Sequence, residues 1–329
     1  MMGTMPSLKT KLLPVGFVLL LFTAGAAERR VTAGAPKLEG EMSAGEGPSW
    51  DPAGYLYFVG DDRISRRTLD GKVEIYRDKV GGPNGSLVDP EGRLLVTEAG
   101  ARRVTRTERN GDVTVLAERY EGKRFNSPND LALDSRGRIY FTDPRYGNRN
   151  SMEMQVEGVY RIDGPQAVTR ILGRPDVDRP NGILVSPDDR YLYVADNNNN
   201  TPGAARKLWR FDLKADGTAD PGSRKLIFDW RTARGPDGLK MDRKGLLYVA
   251  AGLNKPNPPA ETVDEFKGGI YVISPAGALV EFIPIPRDEV TNCTFGRRDL
   301  KTLFVTAGGS LWSVRVKTAG IVSSIVVGK

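Results

Sequence analysis

Short stretches of alternating hydrophobic and polar residues, separated by turns rich in glycine, aspartate and proline, make up most of the chain. In six segments a polar residue opens an apolar stretch, a turn follows, and a second β-rich run comes next. In the third segment, residues 128–133 form the first run, 134–137 the turn, and 138–143 the second run. Such alternation is typical of strands, and no segment has a convincing helical period. The pattern predicts an all-β protein.

The polar residues that open the six segments recur at intervals of 38 to 56 positions. They are Glu46, Asn84, Asn129, Asn181, Asp237 and Asn292. A unit of this length, built from short strands and turns, is typical of a four-stranded propeller blade. We therefore predict one six-bladed β-propeller over residues 27–329, because the alternative, a β-sandwich, would not require the same polar opening six times. Ring closure is expected to pair residues 31–38 with C-terminal strands near 321–327, which would cover open strand edges.

The recurring polar position predicts a site on the propeller axis, because each innermost strand runs beside the central channel. Pro-Asn-Gly is also a common turn sequence. Two features argue against that explanation: a separate turn follows in each repeat, and Glu46 has little turn preference. The two carboxylates of Glu46 and Asp237, together with several amides, form an oxygen-rich set that suits Ca²⁺, with Mg²⁺, Mn²⁺ or carboxylate-bound Zn²⁺ as alternatives.

Composition narrows the chemistry, because the 329 residues include no histidine and only one cysteine, Cys293. Histidine-dependent triads, Cys-His dyads, HExxH zinc sites, disulfides within the chain and Cys-rich metal sites are therefore excluded. We interpret Cys293 as a core residue. The formal charge is +7, but the basic residues are spread along the chain, so nucleic-acid binding is not predicted.

The N-terminus has the layout of a secretory signal. Lys9 and Lys11 precede an apolar run at residues 12–22, and small residues follow at 23–27. The alternative is a membrane anchor, but the run is shorter than the roughly 20 residues that a spanning helix needs. We expect residues 1–26 to be a cleaved signal peptide and the mature chain to be periplasmic or secreted, without a stable membrane anchor.

The motifs resemble a known family, the senescence marker protein/gluconolactonase/regucalcin-like six-bladed propellers, and in particular its bacterial gluconolactonase branch. The most specific stretch is YEGKRFNSPNDL at residues 120–131, followed by YFTDPRYG at 140–147. PNGI at 180–183, PDGL at 236–239 and TNCTFG at 291–296 match further blade motifs. The resemblance implies that Glu46, Asn181 and Asp237 hold a divalent metal, that Asn129 reaches the metal or the substrate, and that Asp237 is catalytic. Arg124 matches the substrate-binding arginine of some members.

The resemblance implies a metal-dependent lactonase that opens sugar-type lactones. The metal would polarise the lactone carbonyl, and Asp237 would activate water or attack directly. Asn84, Asn129 and Asn292 would orient hydroxyl groups of a small lactone or ester. Tyr146 and residues 197–200 are candidates for loops over the channel, and for residues 197–200 we favour a solvated loop. Asp143 and Asp196 either cap strand ends or bind a second ion. A phosphotriesterase or other ester hydrolase on the same metal site, and a non-catalytic ligand-binding propeller, are the alternatives.

Overall fold

The computed structural model describes residues 30–323, and every regular element in that range is a β-strand. The first two blades contain β2 (Glu46–Asp51), β3 (Tyr55–Gly60), β4 (Arg63–Arg67), β5 (Val73–Arg77), then β6 (Pro83–Val88), β7 (Leu94–Glu98), β8 (Arg103–Thr107) and β9 (Val113–Ala117). A small hairpin, β10 (Arg119–Tyr120) and β11 (Lys123–Arg124), leads into the third blade.

Blades three to five repeat the same four-stranded antiparallel order. They contain β12 (Leu131–Leu133), β13 (Ile139–Asp143), β14 (Gly158–Gly164), β15 (Ala167–Leu172), then β16 (Pro180–Val185), β17 (Tyr191–Asn197), β18 (Arg206–Leu213), β19 (Ala219–Asp229), then β20 (Leu239–Met241), β21 (Leu247–Ala251), β22 (Gly269–Ile273) and β23 (Leu279–Pro284). The sixth blade takes β24 (Val290–Gly296), β25 (Thr302–Ala307) and β26 (Gly309–Arg315) from the C-terminal part. The six-bladed β-propeller is therefore confirmed.

The ring closes through an N-terminal strand, β1 (Lys37–Ala44), which pairs antiparallel with β26. The sequence correctly predicted that an N-terminal segment closes the ring. The predicted partner, near residues 321–327, was wrong, because β1 pairs with β26. The edge of β26 is the one that the sixth blade leaves open, so β1 adds there. Residues 320 and 321 instead contact the fifth blade, where Gly320 bridges Asp242 and the Ile321 N–H donates to the Met241 carbonyl. Residues 324–327 lie outside the described range.

The hydrophobic core lies between neighbouring blades. The second strand of a blade packs against other blades on both faces, so β13 and β21 are buried at every position. The outermost strands are half exposed, and Ile75 in β5 is 55% exposed. Between the second and third blades, Phe125, Phe141 and Tyr160 pack with ring centroids 5.0–5.5 Å apart. Each such buried side chain stabilises the fold by about 1.5–3 kcal/mol.

The predicted signal peptide, residues 1–26, lies outside the described residues. Residues 30–323 contain no helix that is long and apolar enough to cross a membrane.

Candidate functional site

The six recurring polar residues lie at one end of the central channel. Glu46 begins β2, and Asn84, Asn181 and Asn292 fall near the starts of β6, β16 and β24, whereas Asn129 and Asp237 lie two residues before β12 and β20. These six innermost strands neighbour one another around the ring, and their starting residues contact one another. For example, the Gly85 N–H donates to the Asn129 carbonyl, and the Gly238 N–H donates to the Thr291 carbonyl. Their first residues therefore meet at one end, and their following turns meet at the other.

The glycines of the Pro-Asn/Asp-Gly motifs are explained by close packing between blades. A Cβ on Gly182 would overlap the Asp237 carbonyl, and a Cβ on Gly238 would overlap the Asn292 side-chain amide. The Gly238 N–H also donates to the Thr291 carbonyl at 2.7 Å. Neither glycine has a left-handed φ, so the motif is required by inter-blade contact and not by a tight turn. This packing brings each polar side chain beside the next one.

Three acidic side chains gather around the axis, and sequence reasoning identified only two of them. Glu46 and Asp237 were predicted, whereas Asp130 occupies the position where four other repeats have glycine. Asp130 and Asp237 are 3% and 5% exposed. Burial, followed by the charge of Asp130, raises the pKa of Glu46 to about 7. Burial, followed by the charge of Glu46, raises the pKa of Asp237 well above its ordinary range. The departure of Asp130 from the glycine pattern was the signal in the sequence.

Glu46 is held in place by its neighbours. Its Oε2 accepts hydrogen bonds from the Gly47 N–H at 2.7 Å and from Asn292 Nδ2 at 3.0 Å. Asn292 Oδ1 in turn accepts from the Cys293 N–H at 2.8 Å. The amide of Asn292 thus engages Glu46 within the protein, and its contact with a substrate stays a prediction. Cys293 is fully buried in the core, as predicted, and burial raises its pKa to about 12.

The donor set around the axis fits a divalent cation. When ionised, the three carboxylates of Glu46, Asp130 and Asp237 carry −3, and the nearby ammonium of Lys240 carries +1, which leaves −2. The opposite charges of Arg234 and Glu289, which also act on Asp237, offset each other. Within residues 30–323, Asn84 Oδ1 and Asp130 Oδ2 are buried oxygens without a hydrogen-bond partner. The same range contains no cluster of three or more acidic, cysteine or histidine side chains at metal-binding distance. A cation here would therefore need amide oxygens and water as its remaining ligands.

Asn129 and Arg124, two further predicted site residues, make contacts with neighbouring parts of the fold. The backbone of Asn129 joins the second and third blades, because its carbonyl accepts from the Gly85 N–H at 2.7 Å. Arg124 lies in β11, and its Nη2 donates to the Ala101 carbonyl at 3.0 Å. That contact ties the guanidinium to the loop between β7 and β8. The substrate-binding roles of Asn84, Asn129 and Arg124 stay predictions.

Tyr146 lies beside the site, as expected, whereas the interpretation of residues 197–200 as a solvated loop was wrong for its first half. The Tyr146 hydroxyl donates to the Asn197 carbonyl at 3.0 Å, and burial with the nearby Asp237 charge raises its pKa well above the ordinary value. Asn197 and Asn198 are buried, because β17 extends through Asn197 and Asn198 Nδ2 donates to Asp178 Oδ2 at 2.7 Å.

Asp143 and Asp196 cap backbone segments at strand ends. Asp143 accepts from the Asn126 and Ser127 N–H groups at 2.7 and 2.6 Å, and Asp196 accepts from the Arg179 N–H at 2.7 Å. These bonds support strand-end capping, the first of the two roles that the sequence left open.

Sequence reasoning also missed Arg234, whose guanidinium lies beside one of the axial carboxylates. Arg234 lies three residues before Asp237, with its Nη2 3.7 Å from Asp237 Oδ2. The opposite end of the channel, towards the turns, opens into a cavity of about 590 Å³ lined by Trp50, Leu131 and Lys240, among others.

Comparison with known proteins places the chain in a family. A gluconolactonase of Zymomonas mobilis is 32% identical over 305 residues, covering 84% of this chain and 79% of the relative. The solved structure of a gluconolactonase from Xanthomonas campestris superposes with a TM-score of 0.74 at 30% identity, covering 89% of this chain and 93% of that one. A calcium-binding regucalcin of Agrobacterium tumefaciens, 20% identical with a TM-score of 0.68 and covering 88% and 96% of the two chains, shows the shared fold alone.

The family sequence model described as the SMP-30/Gluconolactonase/LRE-like region matches residues 44–309. That range begins just before Glu46 and ends in the sixth blade, so it contains all six polar positions. The chain belongs to the SMP-30/gluconolactonase/LRE-like family.

Proposed function

We propose that the protein is a lactonase that opens sugar-type lactones with the help of a divalent cation. The observation that carries the proposal is the meeting of Glu46 and Asp237, both enclosed at one end of the channel, in a chain with a 32% identical relative named gluconolactonase. Burial raises the pKa of both carboxylates, and the Glu46 charge raises that of Asp237 further. Such enclosed carboxylates are costly for a fold unless they serve a charged ligand or a proton transfer.

The cation would be held by Glu46, Asn181 and Asp237, with Asn129 within the same ring of side chains. Ca²⁺ is the first candidate because it accepts many neutral and anionic oxygen ligands, and Mg²⁺, Mn²⁺ and Zn²⁺ are alternatives. When bound, such an ion supplies Lewis acidity for a carbonyl oxygen.

The residues of the chain supply the proton transfer and the positioning. Asp237 takes a proton from water or attacks the carbonyl carbon, and its raised pKa makes it a stronger base than an ordinary carboxylate. Asn292 keeps Glu46 oriented through its 3.0 Å hydrogen bond. Asn84 contributes a buried amide oxygen that has no hydrogen-bond partner among the described residues. This oxygen can accept a hydrogen bond from a substrate hydroxyl.

The test is hydrolysis of a panel of aldonolactones, simple lactones, aryl esters and phosphotriesters by protein stripped with EDTA and then supplied with one cation at a time. We expect lactone opening only with the cation, and its loss in Asp237→Asn, while Asp216→Asn at an exposed site retains it. Full activity without metal contradicts the mechanism. Faster turnover of phosphotriesters supports the alternative hydrolase, and metal binding without any turnover supports a ligand-binding propeller.

We also propose that the protein is exported, on the strength of the N-terminal sequence. N-terminal sequencing of the protein recovered from expressing cells should give a start near Ala27. A protein that retains Met1 and stays in the cytoplasm would refute this.

A further inference from the structure

The side chain of Arg234 occupies a buried position directly behind Asp237. It is 8% exposed, and its Nη2 lies 3.7 Å from Asp237 Oδ2. The backbone fixes the same residue, because the Arg234 carbonyl accepts from the Gly252 N–H at 3.1 Å. The guanidinium therefore contacts one of the two oxygens of the carboxylate that is central to the site.

Two further carboxylates hold Arg234 from the other side. Its Nη2 lies 2.8 Å from Glu289 Oε2, and its Nη1 lies 3.5 Å from Glu261 Oε1. The Glu261 side chain is fully buried and is itself anchored, since its Oε2 accepts from Asn257 Nδ2 at 2.8 Å. Glu289 is half exposed and immediately precedes β24. The guanidinium is thus fixed by loops from two blades.

We propose that Arg234 is a positioning residue for Asp237, and that Glu261 and Glu289 hold it in that role. The ion pair with Oδ2 restrains the carboxylate, and Oδ1 takes no part in this contact. This inference rests on the proposed function, since it assigns Arg234 to the carboxylate that would bind the cation. A planar guanidinium with several fixed donors suits this task better than a flexible ammonium.

Arg234 has two opposing effects on cation affinity, and the structure indicates which is larger. Its positive charge repels a cation, but Glu261 and Glu289 offset that charge at close range. Its contact with Asp237 is local and depends on geometry. Residues that orient metal ligands typically change affinity by about 10- to 100-fold when replaced. We therefore expect weaker cation binding when Arg234 is removed.

Calorimetric titration of the metal-free protein with CaCl₂ tests the proposal. Arg234→Gln should weaken Ca²⁺ binding by about 10- to 100-fold, and Arg234→Lys should recover part of the loss. The matched control is Arg231→Gln. Arg231 lies in the same loop and pairs with Glu265 at 2.7 Å, but its side chain is 68% exposed, so its replacement should leave the affinity unchanged.

Unchanged or tighter Ca²⁺ binding by Arg234→Gln overturns the proposal, and so does a variant that loses thermal stability alone. If Arg234→Gln does not fold, the Ca²⁺ affinities of Arg234→Lys and Glu289→Gln test the proposal instead. Glu289 is half exposed, and its replacement should weaken binding several-fold; wild-type affinity in both variants overturns the proposal. If the wild type binds Ca²⁺ but opens no lactone, the proposed function alone is refuted. If it binds none of Ca²⁺, Mg²⁺, Mn²⁺ and Zn²⁺, the proposed function and the role of Arg234 are both refuted.

Discussion

Replacing Glu46 by glutamine should stabilise the metal-free protein at neutral and alkaline pH. Burial and the Asp130 charge raise the pKa of Glu46 from 4.5 to about 7 in the folded chain. Between pH 4.5 and about pH 7, Glu46 therefore keeps its proton in the folded state and loses it in the unfolded state. The free energy of unfolding of the wild type must fall as the pH rises through this window, and the loss is complete above pH 7.

The size of this effect follows from the shift. Each pKa unit corresponds to about 1.4 kcal/mol, so the full shift costs about 3 kcal/mol, and about 2–3 kcal/mol of it falls between pH 5 and pH 8. Glutamine has no charge to bury, so the variant lacks this pH-dependent loss. Any hydrogen bond that it makes less well to Gly47 or Asn292 lowers stability equally at both pH values and cancels in the comparison.

The assay is urea unfolding in EDTA at pH 5 and pH 8 for the wild type, Glu46→Gln and the control Glu91→Gln, whose side chain is 61% exposed. The stability of Glu46→Gln relative to the wild type should rise by about 2–3 kcal/mol from pH 5 to pH 8, with no such rise for Glu91→Gln. Excess Ca²⁺ at pH 8 should stabilise the wild type and not Glu46→Gln. A stability difference that does not change with pH would refute the reasoning.

Three further outcomes are expected. Gly238→Ala should lower the free energy of unfolding by about 1–3 kcal/mol in urea, since its Cβ would overlap Asn292; unchanged stability would contradict the inter-blade explanation of the glycine. Cys293 should stay unreactive towards a thiol reagent until the protein unfolds, because it is fully buried and its pKa is raised to about 12; rapid labelling of folded protein would contradict this. Asp143→Ala should lower stability by about 2 kcal/mol or more through the lost bonds to the Asn126 and Ser127 N–H groups, with calcium affinity unchanged by calorimetry; weakened affinity would argue for an ion-binding role.

The ring of polar positions was accessible from the sequence because it depends on a repeat. Strand alternation and turn chemistry are local, so six copies of one pattern define six blades and align Glu46, Asn181 and Asp237 at one height. The closing strand was placed less well, because the choice between β26 and residues 321–327 depends on which edge is free after the other blades have formed. That is a property of the assembled ring.

The sequence by itself determined the fold class, the recurring oxygen donors and the absence of histidine chemistry, since each follows from local pattern or composition. Only the tertiary structure decided which charges act together. Asp130 and Lys240 belong to no recurring motif, and they matter because the packing of blades brings them beside Glu46. Arg234 is close to Asp237 in the chain, but only the fold brings Glu261 and Glu289 to its guanidinium. Electrostatic coupling depends on distance and burial, and both arise only when residues far apart in the chain meet around the axis.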